Sequence, residues 1–238
     1  MNILIYGGKG WIGSQFCEAL TLWQFKHTVS NTRVNTIEDV LNDLNNNPET
    51  THIISFIGRT HGKINDKIYS TIDYLEQPGK LKDNIRDNLY VPLIIAEACK
   101  IYSMKNRFVH YTYSGTGCIF TYDDKHKYEK EENGFKEEDK PNFFGSSYST
   151  VKGTTDKLMN LLYNKTCLNL RIRMPIVNYD NPRNFITKIV TYEKICSVPN
   201  SMTVLPELLQ YVVKMMHKNI AARTTKYATA APTVVFAQ

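Results

Sequence analysis

The chain opens with a short apolar run, Ile3–Tyr6, directly before a glycine-rich stretch, and this pairing restricts the fold more than any other feature. The stretch follows a Gly-x-x-Gly-x-x-Gly pattern and leads into a segment of helical period, Trp11–Trp23. In a strand–turn–helix unit, such glycines permit a tight turn, a close approach to a pyrophosphate and packing of helix on sheet. We therefore predict a dinucleotide-binding turn whose cofactor-binding residues are Gly7, Lys9, Gly10, Trp11, Ile12 and Gly13, with the Trp11 side chain used for packing.

Apolar runs and helix-period segments alternate along the rest of the chain. We predict strands at Ile3–Tyr6, Thr28–Ser30, His52–Phe56, Phe108–Thr112 and Leu168–Arg173. We predict helices at Trp11–Trp23, Ile37–Leu44, Leu81–Met104, Ser147–Tyr163, Phe185–Tyr192 and Pro206–His217. Strand–helix alternation is typical of an α/β protein with a doubly wound parallel sheet. Two segments without a clear period, 64–80 and 123–140, are expected to be loops, the first beside the active site.

The pattern divides the chain into three regions. Residues 1–165 are expected to form the cofactor-binding core, and residues 166–220 a sixth-strand region with a small substrate lobe. Residues 221–238 are rich in small residues and lack any period, so we expect a poorly ordered or foreign tail.

Composition excludes several classes of protein. No window approaches the roughly 18 apolar residues of a membrane span, and the N-terminus does not resemble a signal peptide. The five cysteines are odd in number and none is paired at CxxC spacing, so free thiols in a reducing, cytoplasmic compartment are expected, with no metal site. The net charge of +6 comes from scattered basic residues and suits an anionic small ligand better than nucleic acid.

The end of the second strand bears on the choice of cofactor. Binders of NAD usually carry an acidic residue there, about 20 residues after the glycines, for the ribose 2′-hydroxyl. Residues 29–33 contain no acid, whereas Arg33 is suited to a 2′-phosphate. The sequence therefore favours NADPH over NADH, with a surface arginine as the alternative role for Arg33.

A tyrosine and a lysine lie four residues apart in the helix predicted from Ser147. Tyr148 and Lys152 would share one face of that helix. We expect the ammonium to lower the tyrosine pKa and make Tyr148 a proton donor to a carbonyl oxygen. Thr116 would hydrogen-bond the same oxygen, and Lys152 would also hold the nicotinamide ribose.

These residues resemble the extended short-chain dehydrogenase/reductase family, which has a Rossmann fold. Further segments are similar to the bifunctional UDP-4-keto-6-deoxyglucose 3,5-epimerase/4-reductases that make UDP-L-rhamnose, over about residues 1–220. The segments are 116–120, 134–135, 141–145, 170–175, 181–188 and 199–203. Segments 57–62 and 71–76 are closer to the giant-virus branch of that family, which would place the protein in the host cytoplasm.

The resemblance implies a nucleotide-sugar substrate and two catalytic residues for epimerisation, Cys118 and Lys188. Protons beside a ketone are acidic because the enolate charge moves onto its oxygen, and an acid and a base on opposite faces invert each centre. If the segment after Thr116 stays strand-like, Cys118 faces the same way as Thr116. The alternatives are a small buried hydrophobe for Cys118 and a solvated lysine for Lys188.

Further candidates surround these residues. Thr60 follows the third strand, on the side where cofactors bind. We predict substrate contacts for His61, Asn88, Arg173, Asn181, Arg183 and Asn184, with structural hydrogen bonds or ion pairs as the alternative.

One departure from the family leaves other functions open. The resemblance would lead us to expect about 50 further residues of the substrate lobe after residue 220, so we expect a truncated lobe. A pure 4-reductase and an inactive NADP-binding regulatory subunit are therefore retained as alternatives. A homodimer is compatible with this assignment.

Overall fold

The computed structural model describes residues 1–127, 134–195 and 197–218. The strands are β1 (Asn2–Tyr6), β2 (Lys26–Val29), β3 (His52–Ser55), β4 (Gly62–Ile64), β5 (Lys67–Tyr69), β6 (His110–Thr116), β7 (Cys167–Ile172), β8 (Pro175–Ile176) and β9 (Thr203–Val204). The helices are α1 (Trp11–Leu22), α2 (Ile37–Asn46), α3 (Leu81–Ile85), α4 (Val91–Lys105), α5 (Ser147–Leu162), α6 (Phe185–Ile189) and α7 (Leu205–His217).

Five strands form the central sheet in the order β2-β1-β3-β6-β7, and all its pairings are parallel. Strands β3 and β7 are buried along their whole length, as expected for strands covered on both faces. Later strands are added on both sides of β1, with β2 on one side and β3, β6 and β7 on the other. The predicted doubly wound α/β sheet is therefore confirmed.

The two faces of the sheet carry separate apolar layers. Leu4 and Tyr6 of β1 point into the layer formed with α2, α4 and α5, whereas Ile3 and Ile5 point into the layer formed with α1 and α7. This alternation follows from the two-residue period of a strand. The imidazole Nε2 of His52 lies 2.8 Å from the carbonyl oxygen of Met216, which further ties α7 to the sheet.

The predicted boundaries differ from the structure where tertiary pairing decides. Strand β6 runs to Thr116, and not only to Thr112, because β7 pairs with it as far as Thr116↔Ile172. The expected loop 64–80 contains part of the antiparallel hairpin β4–β5 and a 3-10 turn, Ile72–Tyr74. The predicted helix Leu81–Met104 is interrupted by a π-helical turn, Arg86–Tyr90, between α3 and α4.

Several expectations concern the C-terminal part of the chain. The predicted helix Phe185–Tyr192 ends earlier, at Ile189. The tail 221–238 lies outside the described residues, as do residues 128–133 of the acidic and basic loop. The division at residue 165 stays a prediction, although β7 joins the main sheet and α7 packs in its core.

Within the described residues, no helix is long and apolar enough to cross a membrane. In the same three stretches, no group of three or more His, Cys, Asp or Glu side chains is arranged to hold a metal ion.

Candidate active site

The glycine turn is built from backbone. Gly7 has a φ of +73°, and its carbonyl oxygen accepts from the Gly10 amide at 3.0 Å. A Cβ placed on Gly13 would lie 2.3 Å from the Gly7 oxygen, so only glycine allows α1 to begin so close to β1. Gly10 precedes α1 and has no side chain to cap the helix, and the first turn of α1 lacks acidic residues. The backbone amides of this first turn therefore suit the phosphates of a dinucleotide.

A carboxylate from α2, which the sequence did not predict at this place, organises the end of β2. Asp43 accepts hydrogen bonds from Tyr6 Oη at 2.8 Å, Ser30 Oγ at 2.7 Å and Thr32 Oγ1 at 2.8 Å. The predicted cofactor residue Arg33 follows this cluster and is exposed. Three hydroxyl donors leave little free acceptor capacity on Asp43. The residues around β2 give no indication of this cluster, because Asp43 lies on the next helix.

The catalytic candidates converge at the carboxyl end of β6. Thr116 is the last residue of this strand, and the Cys118 amide donates to its Oγ1 at 3.1 Å. The expectation that a strand-like segment continues to Cys118 is wrong, because the chain turns after Thr116. Cys118 nevertheless packs beside Tyr148, in an apolar cluster that also contains Tyr74 and Leu75.

Burial dominates the protonation of the Tyr148–Lys152 pair. It raises the pKa of the Tyr148 phenol well above its usual value, with a further rise from Cys118, while a hydrogen bond with Thr116 acts the other way. The expectation that Lys152 lowers this pKa is wrong, because desolvation prevails. Burial also lowers the pKa of Lys152 to about 7, although the interactions with Asp156 and Cys118 act to raise it. The Lys152 ammonium donates to Tyr113 Oη at 2.6 Å.

The start of α5, which carries Tyr148, is held from outside the helix. The Glu76 carboxylate accepts from the Ser147 and Tyr148 amides at 3.1 and 3.3 Å. Ser146 caps the helix by accepting from the Ser149 amide, and Ser149 Oγ donates to the Cys118 carbonyl at 2.7 Å. These bonds fix Tyr148 relative to the turn that contains Cys118.

A second group of candidates forms a basic cluster on the loop after β3, on the loop before α6 and on α6 itself. Arg183 Nη2 lies 2.7 Å from His61 Nε2, and Thr60 Oγ1 lies 3.4 Å from His61 Nδ1. Lys188 Nζ donates to the Ser70 carbonyl at 3.4 Å. Burial and the charge of Arg183 lower the pKa of both His61 and Lys188. Within the described ranges, no hydrogen bond joins Lys188 to Thr116, Cys118 or Tyr148.

Two predicted substrate contacts are structural instead. The buried Asn88 amide bonds the backbone amide and carbonyl of Arg59 and the side chain of Asn84. Asn184 caps α6 and also bonds the backbone of Val177 and Tyr179. Their amides are satisfied within the protein, so neither is free for a sugar.

Arg173 and Asn181 shape the loops around the site. Arg173 Nη1 donates to the Gly117 carbonyl at 2.9 Å, which braces the turn that contains Cys118. Asn181 Oδ1 accepts from the Arg183 amide at 2.9 Å and thereby sets the loop that carries this arginine.

Known proteins are similar to this chain in sequence and in fold. Protein L780 of Acanthamoeba polyphaga mimivirus is 48% identical over 216 residues, which cover 90% of this chain and 70% of that protein. The crystal structure of the mimivirus L780 UDP-rhamnose synthase matches with a TM-score of 0.82 and 46% identity, over 93% of this chain and 72% of that one. The chain belongs to the UDP-rhamnose synthase family.

Plant members of this family include the bifunctional dTDP-4-dehydrorhamnose 3,5-epimerase/reductase of Arabidopsis thaliana. It is 38% identical over 223 residues, which cover 92% of this chain and 67% of that protein. No family model matches the sequence. The dTDP-4-dehydrorhamnose reductase of Bacillus anthracis, solved in complex with NADP, has a TM-score of 0.66 at 18% identity, and so shows the common Rossmann fold alone.

Proposed function

We propose that the chain converts UDP-4-keto-6-deoxy-D-glucose to UDP-L-rhamnose by 3,5-epimerisation and NADPH-dependent reduction of the 4-ketone. The observation that carries the proposal is the meeting of Thr116, Cys118, Tyr148 and Lys152 at the carboxyl end of β6. This end lies on the same sheet edge as the glycine turn after β1, because all strands between them are parallel. The likeness to the mimivirus and plant enzymes supports the same assignment.

In the reductase half, Tyr148 is the proton donor to the C4 oxygen. Its raised pKa keeps the phenol protonated at neutral pH, so a proton is always available to the developing alkoxide. Thr116 donates a second hydrogen bond to this oxygen. Lys152 holds the nicotinamide ribose. Bound NADPH would supply the hydride for C4.

In the epimerase half, Tyr148 and Thr116 stabilise the enolate that forms when a proton leaves C3 or C5. Cys118 and Lys188 act as acid and base from opposite faces of the sugar ring. The lowered pKa of Lys188 increases the fraction of free amine, which suits a base. To act on the sugar, Lys188 would leave the Ser70 carbonyl. That bond is exposed and, at 3.4 Å, longer than a typical hydrogen bond, so it is easily broken.

Two parts of the site are suited to bind anions, the glycine turn and the basic cluster. We propose that the glycine turn and Arg33 hold the NADPH phosphates, with Lys9 and Thr60 beside them. We propose that the basic cluster of His61 and Arg183 binds the pyrophosphate of the sugar nucleotide, because Arg suits bidentate phosphate contacts. Asn181 supports this cluster through its bond to the Arg183 amide, whereas Arg173 supports the turn that contains Cys118.

A 4-reductase without epimerase activity is the second candidate. It is favoured by the apolar surroundings of Cys118, which packs with Tyr74, Leu75 and Tyr148, because such surroundings are typical of an inert thiol. The two candidates differ in proton exchange at C3 and C5.

The test combines the protein with UDP-4-keto-6-deoxy-D-glucose and NADPH in heavy water. We expect loss of reduced-cofactor absorbance, UDP-L-rhamnose as product, and deuterium at C3 and C5. Tyr148→Phe should reduce turnover by about 100- to 10,000-fold while NADPH binding persists. Cys118→Ala should lose deuterium incorporation and keep NADPH binding, whereas Cys99→Ala, a core thiol in another cluster, should retain both.

Each result separates the candidates. Reduction without deuterium would leave the 4-reductase. Absence of both reactions, together with retained NADPH binding, would point to the regulatory subunit. Absence of NADPH binding would overturn the enzyme assignment altogether.

A further inference from the structure

We infer that Tyr113 is a positioning residue for Lys152: its phenol oxygen fixes the lysine ammonium and stabilises its charged form. This inference rests on the proposed function, in which Lys152 holds the nicotinamide ribose. The role concerns a side chain of β6 that no sequence motif marks.

The contact is short and buried. Lys152 Nζ lies 2.6 Å from Tyr113 Oη and 3.2 Å from the Ser114 carbonyl oxygen. Lys152 is 4% exposed and Tyr113 is 1% exposed. The ammonium also lies 4.6 Å from the centroid of the Tyr113 ring. A single strand therefore supplies two hydrogen-bond acceptors and an aromatic face to this ammonium.

The direction of the Lys152–Tyr113 hydrogen bond follows from the chemistry of the lysine. An ammonium has only N–H donors, so the Tyr113 oxygen accepts. The Thr155 hydroxyl on the same helix as Lys152 is engaged elsewhere, since the carbonyl oxygens of Asn88 and Val151 lie 2.7 and 2.9 Å from it.

The surroundings make this acceptor important. Burial opposes the charge on Lys152, whereas Asp156 on α5 and Cys118 in the turn after β6 favour it. Asp156 is itself bonded to Arg171 and Asn169. Burial also keeps the Tyr113 phenol protonated, so Tyr113 acts as a neutral acceptor. A hydrogen bond to the charged form favours that form.

The arrangement also has a geometric consequence. An ammonium has three N–H donors, and two of them are directed at β6. One donor therefore remains for a ligand, and its direction is set by the other two. Without the Tyr113 oxygen, the Lys152 side chain could rotate away from the ribose position.

The test compares Tyr113→Phe with Tyr111→Phe, which removes another buried phenol oxygen from the same strand. NADPH dissociation constants are measured by fluorescence from pH 6 to 9. In the unmodified protein, affinity should fall as pH rises through about 7, where Lys152 loses its proton. For Tyr113→Phe, we expect the fall about one pH unit lower, because a bond to a charged group is lost. Tyr111→Phe should keep the original profile.

Steady-state kinetics provide a second readout. Tyr113→Phe should lower kcat about tenfold with little change in the KM for the sugar nucleotide, because a misplaced group affects the chemical step. In a Lys152→Met background, Tyr113→Phe should add no further loss of NADPH affinity. Melting temperatures of the two phenylalanine variants check that the fold is retained.

Identical pH profiles for Tyr113→Phe and Tyr111→Phe would overturn the inference, as would additive losses with Lys152→Met. Both outcomes leave the proposed function intact if the unmodified protein binds NADPH and reduces the sugar. Failure of the unmodified protein to bind NADPH would instead remove the proposed function.

Discussion

The carboxyl ends of β1 and β6 lie on one edge of the sheet, but they are built from different parts of the chain. At β1 the site is backbone: a left-handed Gly7, an uncapped helix start and a Gly13 without room for a Cβ. At β6 the site is side chains, with Tyr148 and Lys152 held by buried bonds and by a helix cap.

This difference determines what each end tolerates. Backbone amides can bind a phosphate only if nothing fills the space beside them, so the β1 end is sensitive to added atoms. A side-chain network is satisfied only when every partner is present, so the β6 end is sensitive to removed atoms. The predictions below test this contrast.

The largest effect is expected in the network that supports the β6 end, from Arg171→Met on the neighbouring strand β7. The Arg171 and Asp156 side chains are only 5% and 3% exposed and are joined at 2.9 Å, so the change leaves a buried carboxylate short of a partner. The free energy of unfolding should fall by about 3–5 kcal/mol, measured by urea denaturation. Lys63→Met, at the exposed Lys63–Asp66 pair, is the control and should change little. A loss below about 1 kcal/mol at Arg171 would contradict the buried network.

A smaller effect is expected from adding one carbon at the β1 end. In Gly13→Ala, the new Cβ would meet the Gly7 oxygen at 2.3 Å and the Gly8 Cα at 2.8 Å, so the turn must shift. We expect a stability loss of about 1–3 kcal/mol and at least about tenfold weaker NADPH binding, measured by calorimetry. Gly79→Ala adds a carbon at a glycine that has open space around it, and it should leave NADPH binding unchanged. Equal affinities in the two variants would refute a backbone-built site.

The smallest effect should come from Glu76→Gln, which keeps the shape of the α5 cap and removes its charge. The carboxylate bonds the amides of Ser147 and Tyr148 at the positive end of the helix dipole. We expect a loss of about 0.5 kcal/mol that shrinks as salt is added, measured by thermal melts at two ionic strengths. Glu18→Gln, at an exposed position inside α1, should show no such loss. A salt-independent change would argue for shape rather than charge.

The contrast also explains which parts of the site the sequence predicts. The glycine turn follows from the sequence because its backbone geometry requires particular residues at particular spacing. Tyr148 and Lys152 follow because a helix brings positions four apart together. The doubly wound sheet follows from the alternation of apolar runs and helical periods.

The remaining features depend on contacts between distant segments. Nothing near Tyr113 marks it as a partner of Lys152, and Asp43 reaches the end of β2 only because α2 packs there. The roles of Asn88 and Asn184 were misassigned because an amide looks the same in sequence whether it faces a sugar or closes a loop. The pKa of Tyr148 was misjudged because burial depends on packing rather than spacing.

Helix α5 carries Tyr148, Lys152 and Asp156 at successive turns, and the last of these is clamped to Arg171 of β7. A helix held in this way from within cannot rotate about its long axis without breaking the bonds between Asp156 and Arg171. The orientation of Tyr148 about the helix axis is thus fixed by Asp156, two turns further along α5, through its bonds to Arg171 on β7. Substitutions around the Tyr148 phenol should therefore leave its orientation unchanged as long as the Asp156–Arg171 pair is kept.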